Sequence, residues 1–488
     1  MKFLQVAVRI YLFGVMASTA GCAVNPATGQ SDFIVISEAR ERRIGQSEHP
    51  KIIKEFGGVY EEREISAYVV VIGGRLAAAT ERPDIAFTFT VLDSQIVNAF
   101  TTPGGYVYVT RGLIALADTE AQLASVIGHE LGHAVARHSA QRLSQVTLAQ
   151  LGLTILGQVS GAPTLNDVAG KLAGLYLSAY SREHEFEADM LGVRYLARAG
   201  YNPHAASGFL SKLRNHSQLQ AKLAGRALET VDKFDIAATH PHTVERTERA
   251  ITAADAAAVA TPYVGRTEHL ATIDGIVYGD SADEGFINGQ RVSHRDLRFE
   301  FFVPHGFILS NQPARIIARS ERDHSTIIFD RAPKSVTGDV AAYLDRQWIS
   351  NVPVNDLETI FINGMEAATG WIGQKSNGQP TEFRFVAIRF APRIIYRFVL
   401  QTPSRPSSAL SEALKRAVYS FRRLDEAEAS ALSERRLRVV RVEVGDTIAV
   451  LAKRMAFSDF QRERFEVLNG LSGGKPIFVG ESVKLISR

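Results

Sequence analysis

The order of apolar and polar positions divides the chain into a mainly helical first part and a β-rich second part. Residues 37–82 carry Ile, Val and Leu between charged faces, which predicts helices. Ile85–Leu92 alternates as a strand does, and a turn at 103–105 followed by Tyr106–Val109 predicts a second strand in a hairpin. Helical patterns then dominate from Thr119 to about Arg249.

The pattern changes after the alanine-rich stretch at 253–260. Short β-rich runs separated by helical segments over residues 265–424 predict an α+β domain, whose role the sequence does not disclose. A charged helical linker at 425–438 leads to a small terminal module at 439–488. With a mainly helical domain at 23–255, these segments predict a multidomain protein, as the length of 488 residues also does.

The composition gives no reason to expect a nucleic-acid partner. Apolar residues make up 45% of the chain and charged residues 22%, as in an ordinary soluble globular protein. The net charge is +3, and the basic residues are scattered along the chain. A nucleic-acid surface would need them clustered on one face.

The first 22 residues have the form of a secretion signal. The apolar run Ile10–Met16 is far shorter than the ~20 residues that a membrane-spanning helix needs. It leads to Thr19-Ala20-Gly21-Cys22, which resembles a bacterial lipobox with Thr19 where leucine is usual. We therefore expect a lipoprotein signal peptide at 1–22 and lipidation of Cys22, the only cysteine of the chain.

This signal implies a periplasmic location. Ala23, at the position after Cys22, resembles the outer-membrane rather than the inner-membrane sorting signal. We expect the protein to be held at the outer membrane through the lipid of Cys22 and to contact the membrane in no other way. The alternative is simple cleavage, which would release an unanchored periplasmic protein.

A metal-binding pattern lies in the helix predicted from Thr119 to about His138. Residues 129–133 are His-Glu-Leu-Gly-His, and Thr119 with Gln122 predicts a capping box at the start of this helix. His129 and His133 lie one helical turn apart, so both imidazoles can bind one Zn²⁺. Glu130 lies beside that ion, where it can take a proton from the attacking water. The alternative is a histidine pair that binds no metal.

A catalytic zinc needs a third protein ligand. The extended pattern with a further histidine ligand, H-E-x-x-H-x-x-G-x-x-H, is not met, because positions 136 and 139 are Ala and Ser. The segment Ser181–Asp189 offers three glutamates, and Glu185 is preferred because Asp189 lies four residues further on the same helical face. Asp189 can hold a ligand histidine through its other ring nitrogen. The remaining acidic and histidine side chains nearby are expected to be solvated or to have no role: Glu183, Glu187, His138 and His184.

Together these motifs resemble the zinc peptidase family of HtpX, BepA and the CAAX prenyl protease type I. The resemblance covers about residues 25–255 and includes Asn98-Ala99-Phe100, the strand at 103–110, and Thr239-His240-Pro241 with Arg246 downstream. It implies a mainly α zincin-type (gluzincin) catalytic domain with a small β-sheet. The membrane-spanning segments of the HtpX branch are missing, so the soluble BepA-like branch is the closer one.

The resemblance also implies the site. One Zn²⁺ per chain falls on His129, His133 and Glu185, with Glu130 as general base. His240 is expected to bind the tetrahedral oxyanion or to cap the zinc in a resting state, and Arg246 is placed similarly. An extended peptide substrate is expected to add as a strand to Tyr106, Val107, Tyr108 and Val109, the alternative being a simple core hairpin.

The terminal module resembles a LysM module. Val444-Gly-Asp-Thr447 and Leu468-Asn-Gly-Leu471 occur in the order of this βααβ fold, which binds polymers of N-acetylglucosamine such as peptidoglycan. The alternative is a packing domain without affinity for glycans.

The expected function is that of a secreted zinc metalloendopeptidase. Its substrates would be unfolded or misassembled envelope proteins, in outer-membrane protein quality control. Two alternatives stay open: a chaperone-like or cell-wall-binding lipoprotein with a gated zinc site, and an enzyme that cleaves peptidoglycan.

Overall fold

The structure is a computed structural model that describes residues 22–147, 180–226, 240, 244–257, 259–312, 314–350, 352–376 and 378–488. The predicted signal peptide up to residue 21 therefore lies outside the described residues, as do Thr239 and Pro241. Among the described helices, none combines the length and the apolar character needed to cross a membrane. The chain forms two compact units, one of residues up to Ile53 with Gly58–Tyr278 and Arg436–Ser487, the other of Lys54–Gly57 with Gly279–Arg435.

The first unit is mainly helical, as the sequence predicts for its N-terminal part. A short hairpin of β1 (Cys22–Val24) and β2 (Ser31–Phe33) precedes the helices. The helices are α1 (Glu38–Glu55), α2 (Arg63–Ala77), α3 (Arg111–Leu116), α4 (Glu120–Val135), α5 (Arg182–Arg198), α6 (Ala205–Leu223), α7 (Val244–Ala256) and α8 (Arg266–Ile273).

Helices α4 and α5 approach each other through residues without side chains. A Cβ atom added to Gly192 of α5 would lie 3.0 Å from the backbone nitrogen of His129, and one added to Gly132 of α4 would lie 3.0 Å from the carbonyl oxygen of Ala188. Such distances are shorter than ordinary van der Waals contact. Glycine therefore allows the two backbones to come close enough for side chains of both helices to meet at one point.

Helix α4 begins where the capping pattern predicts. The hydroxyl of Thr119 accepts a hydrogen bond from the Gln122 backbone N–H at 3.1 Å. The Gln122 side chain accepts from the backbone N–H of Asp118 rather than from that of Thr119, so only half of the predicted capping box forms. The helix ends at Val135, and Arg137 has a φ of 57°, after which a separate helical segment runs over 138–147.

The small sheet of this unit contains β3 (Thr88–Leu92), β4 (Ala99–Thr102) and β5 (Tyr106–Thr110) in the order β3-β5-β4. The predicted turn and strand at 103–109 are confirmed, but the hairpin partner is β4, and β3 pairs with β5 in parallel. Because β5 is hydrogen-bonded on both sides, the prediction that a peptide adds to Tyr106, Val107, Tyr108 and Val109 is wrong. The outer strand β4 contacts α4.

The terminal segment has the predicted βααβ order. It consists of β18 (Arg435–Arg441), α12 (Ile448–Lys453), α13 (Gln461–Leu468) and β19 (Ser482–Ser487), and β6 (Val277–Tyr278) completes its three-stranded sheet. The predicted linker is not one helix, because β18 already begins at Arg435. Leu451, Phe465 and Leu485 pack in the same hydrophobic core as Leu113 and Ile127, so this segment forms part of the helical unit.

The second unit is rich in antiparallel β-structure, as the sequence predicts for residues 265–424. It contains a seven-stranded sheet and a four-stranded sheet. Phe299, Phe301, Phe329, Phe398 and Phe421 form its aromatic core.

The bounds of the second unit's elements are β7 (Phe286–Asn288), β8 (Arg291–His294), β9 (Phe299–Phe302), β10 (Ile308–Gln312), β11 (Arg315–Ser320), β12 (Ser325–Arg331), α9 (Val340–Tyr343), β13 (Asn355–Ile362), β14 (Met365–Ser376), β15 (Gln379–Ala391), β16 (Ile394–Pro403), α10 (Ser408–Tyr419), β17 (Arg422–Arg423) and α11 (Glu426–Ser430). The seven-stranded sheet has the order β10-β11-β12-β16-β15-β14-β13, and the four-stranded sheet has the order β17-β9-β8-β7.

Candidate metal centre

Four buried side chains that can bind a metal converge between α4 and α5. His129 and His133 come from α4, Glu185 from the first turn of α5, and His240 from the segment before α7. One donor atom from each lies within 4.8 Å of the other three. The two helices thus bring together the ligands predicted from the sequence, and His240 joins them.

The spacing of these donor atoms matches a tetrahedral zinc ion. His129 Nε2 lies 3.0 Å from His133 Nε2 and 3.2 Å from His240 Nδ1. The Glu185 carboxylate lies 3.5 Å from both α4 histidines and 2.8 Å from His240 Nδ1. Zinc bonds of ~2.0–2.1 Å in a tetrahedron separate the ligands by about 3.3 Å. The donor set therefore fits Zn²⁺ in both chemistry and spacing.

Burial and neighbouring charges shift the pKa values of His133 and Glu185. Burial lowers the pKa of His133 well below its usual value, which keeps the imidazole neutral and able to bind a cation. Burial opposes ionisation of Glu185, but His240 and Arg246 hold its pKa well below its usual range. The carboxylate is therefore ionised. A neutral imidazole and an ionised carboxylate at these distances are both able to bind a dication.

Glu130 lies beside the cluster without belonging to it. Its Oε1 is 3.3 Å from His240 Nε2, and its Oε2 has no hydrogen-bond partner among the described residues. Burial raises the pKa of this carboxyl group above its ordinary value. An unpaired buried oxygen next to a metal site is available to a water molecule, as the predicted role of Glu130 requires.

The carboxylate of Asp189 contacts the second ring nitrogen of His129, and the guanidinium of Arg246 contacts that carboxylate. His129 Nδ1 lies 2.9 Å from Asp189 Oδ1, as the sequence predicts for Asp189. Arg246 donates to both oxygens of Asp189 at 2.7 Å, and its third nitrogen lies 2.7 Å from Glu185 Oε2. The sequence places Arg246 similarly to His240, at the oxyanion or at the zinc, and this role stays a prediction. In the structure the buried guanidinium lies against Asp189 and Glu185.

Three residues lie around His133 in a way that the sequence does not indicate. His138 Nδ1 lies 2.7 Å from His133 Nδ1, and Glu187 Oε2 lies 3.3 Å from His138 Nε2. Tyr180 stacks on the His133 ring with centroids 4.0 Å apart. Glu187 and His138 were expected to be solvated or without a role, whereas His138 is fully buried. Only Glu183 is exposed as predicted.

Comparison with known proteins identifies the domain that carries this cluster. Residues 65–254 match peptidase family M48. The mitochondrial metalloendopeptidase OMA1 of Arabidopsis thaliana is 36% identical over 173 residues, which are 35% of this chain and 32% of that protein. The beta-barrel assembly-enhancing protease of Yersinia pestis is 32% identical over 167 residues, which are 32% of this chain and 34% of that protein.

A further relative extends the aligned region. The beta-barrel assembly-enhancing protease of Escherichia coli (strain K12) is 29% identical over 225 residues, which are 44% of each chain. The chain therefore spans about a third to under half of the length of these curated relatives. The match with the family includes His129, His133 and Glu185 within its bounds. Residues 65–254 of this chain are a zinc metallopeptidase domain of peptidase family M48.

Proposed function

We propose that the protein is a zinc metalloendopeptidase that hydrolyses peptide bonds in unfolded or misassembled proteins of the cell envelope. The observation that carries the proposal is the cluster of His129, His133 and Glu185 at zinc-ligand spacing. Next to it lies a carboxylate oxygen of Glu130 that has no hydrogen-bond partner among the described residues. Bound there, Zn²⁺ supplies a Lewis acid that polarises a carbonyl group and acidifies water.

Glu130 is the general base of this proposal. Its carboxylate takes a proton from the attacking water and returns it to the leaving amine, a role that contributes ~10²–10⁴-fold to the rate. Because the side chain is only 1% exposed, bulk water does not compete for its oxygens. Asp189 and Arg246 hold His129 and Glu185 in place during this cycle.

The substrate is proposed to bind along β4 instead of β5. Strand β4 (Ala99–Thr102) is the outer strand of the small sheet and contacts the helix that carries the two histidines. An extended peptide can add to such an edge through main-chain hydrogen bonds. Recognition through the main chain suits a peptidase that acts on unfolded chains of many sequences.

His240 gives the site a second candidate property, that of a gate. A catalytic zinc keeps three protein ligands and one open position. His240 Nδ1 takes the fourth position of the tetrahedral set, 2.8 Å from Glu185 and 3.2 Å from His129. We infer that His240 closes the site at rest and leaves it before a substrate binds. A protein in which it never leaves would act as a chaperone-like lipoprotein, the alternative expected from the sequence.

The cellular setting is part of the proposal. The names of the relatives from Yersinia pestis and Escherichia coli describe proteases that enhance β-barrel assembly, which supports envelope proteins as substrates. The N-terminal pattern supports a periplasmic protein anchored to the outer membrane through lipidated Cys22. Metabolic labelling with a palmitate analogue, lost in Cys22→Ser, would test this anchor.

Peptidoglycan is proposed as a second partner, through residues 439–488. Val444, Phe478 and Val479 are exposed there and offer an apolar surface to sugar rings. Co-sedimentation of the protein with purified sacculi, reduced in Phe478→Ala, would support this binding. Equal co-sedimentation of Phe478→Ala and the unchanged protein would contradict this contact surface.

One assay separates the three functional alternatives. The protein is incubated with an unfolded outer-membrane β-barrel protein and, separately, with purified peptidoglycan, each with and without a zinc chelator. The proposal predicts protein cleavage that the chelator abolishes and that zinc restores, with intact peptidoglycan. Release of peptidoglycan fragments would favour the cell-wall enzyme, and binding of the unfolded protein without cleavage would favour the chaperone-like protein.

A further inference from the structure

A row of hydrogen-bonded polar side chains leads from His133 away from the four candidate ligands. These side chains have no role in the proposed reaction. His133 turns Nε2 to the cluster, and its Nδ1 lies 2.7 Å from His138 Nδ1. His138 Nε2 lies 3.3 Å from Glu187 Oε2. Asn25 Nδ2 donates a hydrogen bond of 2.8 Å to the other oxygen of Glu187. The row thus ends in the β1–β2 hairpin.

The hydrogen-bonding capacity of these groups permits one arrangement of protons when His133 binds a cation. Its Nε2 must then be free of hydrogen, so its Nδ1 carries the hydrogen and donates it to His138. Because His138 Nδ1 accepts, its Nε2 carries the hydrogen and donates to Glu187. The amide nitrogen of Asn25 can only donate, and it holds the second oxygen of the carboxylate.

Burial and packing hold the row in place. His133 and His138 are both 0% exposed, so water does not replace the bond between the two rings, and Asn25 is 2% exposed beside the partly exposed Glu187. Tyr180 stacks on His133, and His184 stacks on His138 with ring centroids 4.2 Å apart. Neither imidazole can turn without disturbing a stacked neighbour.

The hairpin reaches His138 by a second route as well. Asp32 of β2 accepts a hydrogen bond of 2.8 Å from the side-chain nitrogen of Gln141. The side-chain oxygen of Gln141 lies 3.0 Å from Nε2 of His184, the ring that stacks on His138. The hairpin therefore contacts the carboxylate beside His138 directly, and the ring that stacks on His138 through Gln141.

We propose that His138, Glu187 and Asn25 are positioning residues that fix the tautomer and the ring orientation of His133, which makes the N-terminal hairpin part of the metal site. The inference rests on the proposed function, since it takes His133 as a zinc ligand. Asp189 of α5 and Arg246 of α7 fix the orientation of His129 in the same way. On the His133 side, His138 lies between the ligand histidine and Glu187, so the contacts that hold His133 extend to a hairpin that begins at Cys22.

The test is the zinc affinity of the full chain, measured by competition with a chromophoric chelator. Removal of a partner behind a ligand histidine costs typically 10–100-fold in metal affinity, and we expect this loss for His138→Ala. His138→Gln should recover much of it, because an amide can accept from His133 and donate to Glu187. The absorption bands of the Co²⁺-substituted protein should change in His138→Ala and return in His138→Gln.

The far end of the row gives the sharper comparison, because Asn25 is distant from the metal. Asn25→Ala should weaken zinc binding, and Asn25→Asp should weaken it further, because it places a carboxylate against Glu187. Thr28→Ala is the matched control. Thr28 lies exposed in the same hairpin, and within the described part of the chain it accepts only a local bond from the Gln30 backbone. Its replacement should leave the affinity unchanged.

These variants separate failure of the inference from failure of the proposed function. If the unchanged chain binds no zinc, the proposed function fails and the inference with it. If the chain binds zinc but Asn25→Ala and Asn25→Asp both match Thr28→Ala, the positioning role is overturned and the zinc site stands. The Asn25 variants decide the matter even where His138→Ala does not fold.

Discussion

The ammonium group of Lys484 lies 2.9 Å from the carboxylate of Asp118, so the last strand of the chain forms a buried ion pair with the residue before the N-cap of the metal-binding helix. Lys484 is 0% exposed and also donates to the carbonyl oxygens of Ala115, Leu116 and Ala117 at 2.8–3.1 Å. It thereby caps the end of α3. The terminal βααβ segment is therefore held to the peptidase helices by buried polar contacts as well as by apolar packing.

Replacement of Lys484 by methionine should destabilise the protein more than the same change at Lys212. Both lysines pair with Asp118, and each variant leaves Asp118 one ammonium partner. Lys484 also donates hydrogen bonds to three carbonyl oxygens. Among the described residues, Lys212 donates to one carbonyl oxygen, that of Leu468. We expect the two variants to differ by about 1–3 kcal/mol in the free energy of unfolding, measured by urea denaturation. Equal losses would show that the carbonyl contacts contribute nothing.

The Asp118 cluster should also give the protein an acid-sensitive contribution to stability. Burial opposes ionisation of Asp118, but Lys212 and Lys484 hold its pKa below the ordinary value of 3.8. A carboxyl group whose pKa is lowered in the folded state stabilises that state above the pKa of the unfolded chain, and this contribution is lost as the pH falls.

The measurement is Tm as a function of pH for the unchanged protein and for Asp118→Asn. We expect a constant difference near neutral pH that narrows between about pH 5 and pH 2. Parallel curves over this range would mean that Asp118 titrates alike in the folded and unfolded chains. Other carboxyl groups titrate in both proteins and cancel in the difference.

Gly192→Ala should loosen the metal site without touching a ligand. The added Cβ would lie 3.0 Å from the backbone nitrogen of His129, so α4 and α5 must separate slightly. Overpacking of this kind costs about 1–3 kcal/mol of stability, and we expect weaker zinc binding with it. Gly208→Ala is the control, because its Cβ would meet nothing closer than 3.8 Å. Unchanged zinc affinity in Gly192→Ala would mean that the helix spacing does not set the ligand geometry.

Local sequence patterns predict much of the metal site, because its main parts lie within single helices. The four-residue spacing of His129 and His133 puts both on one face of α4, and the same spacing relates Glu185 to Asp189 on α5. The N-cap at Thr119 is likewise local. Each of these predictions needs only the period of a helix.

The parts that sequence reasoning missed depend on contacts between distant segments. The role of His138 requires Glu187 and the N-terminal hairpin, which are 49 and more than 100 residues away along the chain. Strand β4 has four residues, too few to show an alternating pattern, so its place beside β5 was not predicted. The packing of the terminal segment into the helical core depends on Lys484 and on apolar side chains whose partners the sequence does not indicate.

His240→Ala should raise the rate of peptide hydrolysis. In the structure His240 Nδ1 lies 3.2 Å from His129 Nε2, where it would be a fourth ligand of a bound zinc, so its removal would leave a ligand position open to water and substrate. The measurement is kcat/KM for a fluorogenic peptide at saturating zinc, with the zinc content of each protein determined in parallel. A lower kcat/KM at equal zinc content would contradict a gate and favour an oxyanion-binding role.

The most direct test of the account is Glu130→Gln, compared with the unchanged protein on an unfolded protein substrate at matched zinc content. Glutamine keeps the size of the side chain but cannot accept a proton from water. We expect one bound zinc per chain in both proteins and a loss of cleavage of about 10²–10⁴-fold in the variant. Equal cleavage by both proteins, with zinc bound in both, would contradict it.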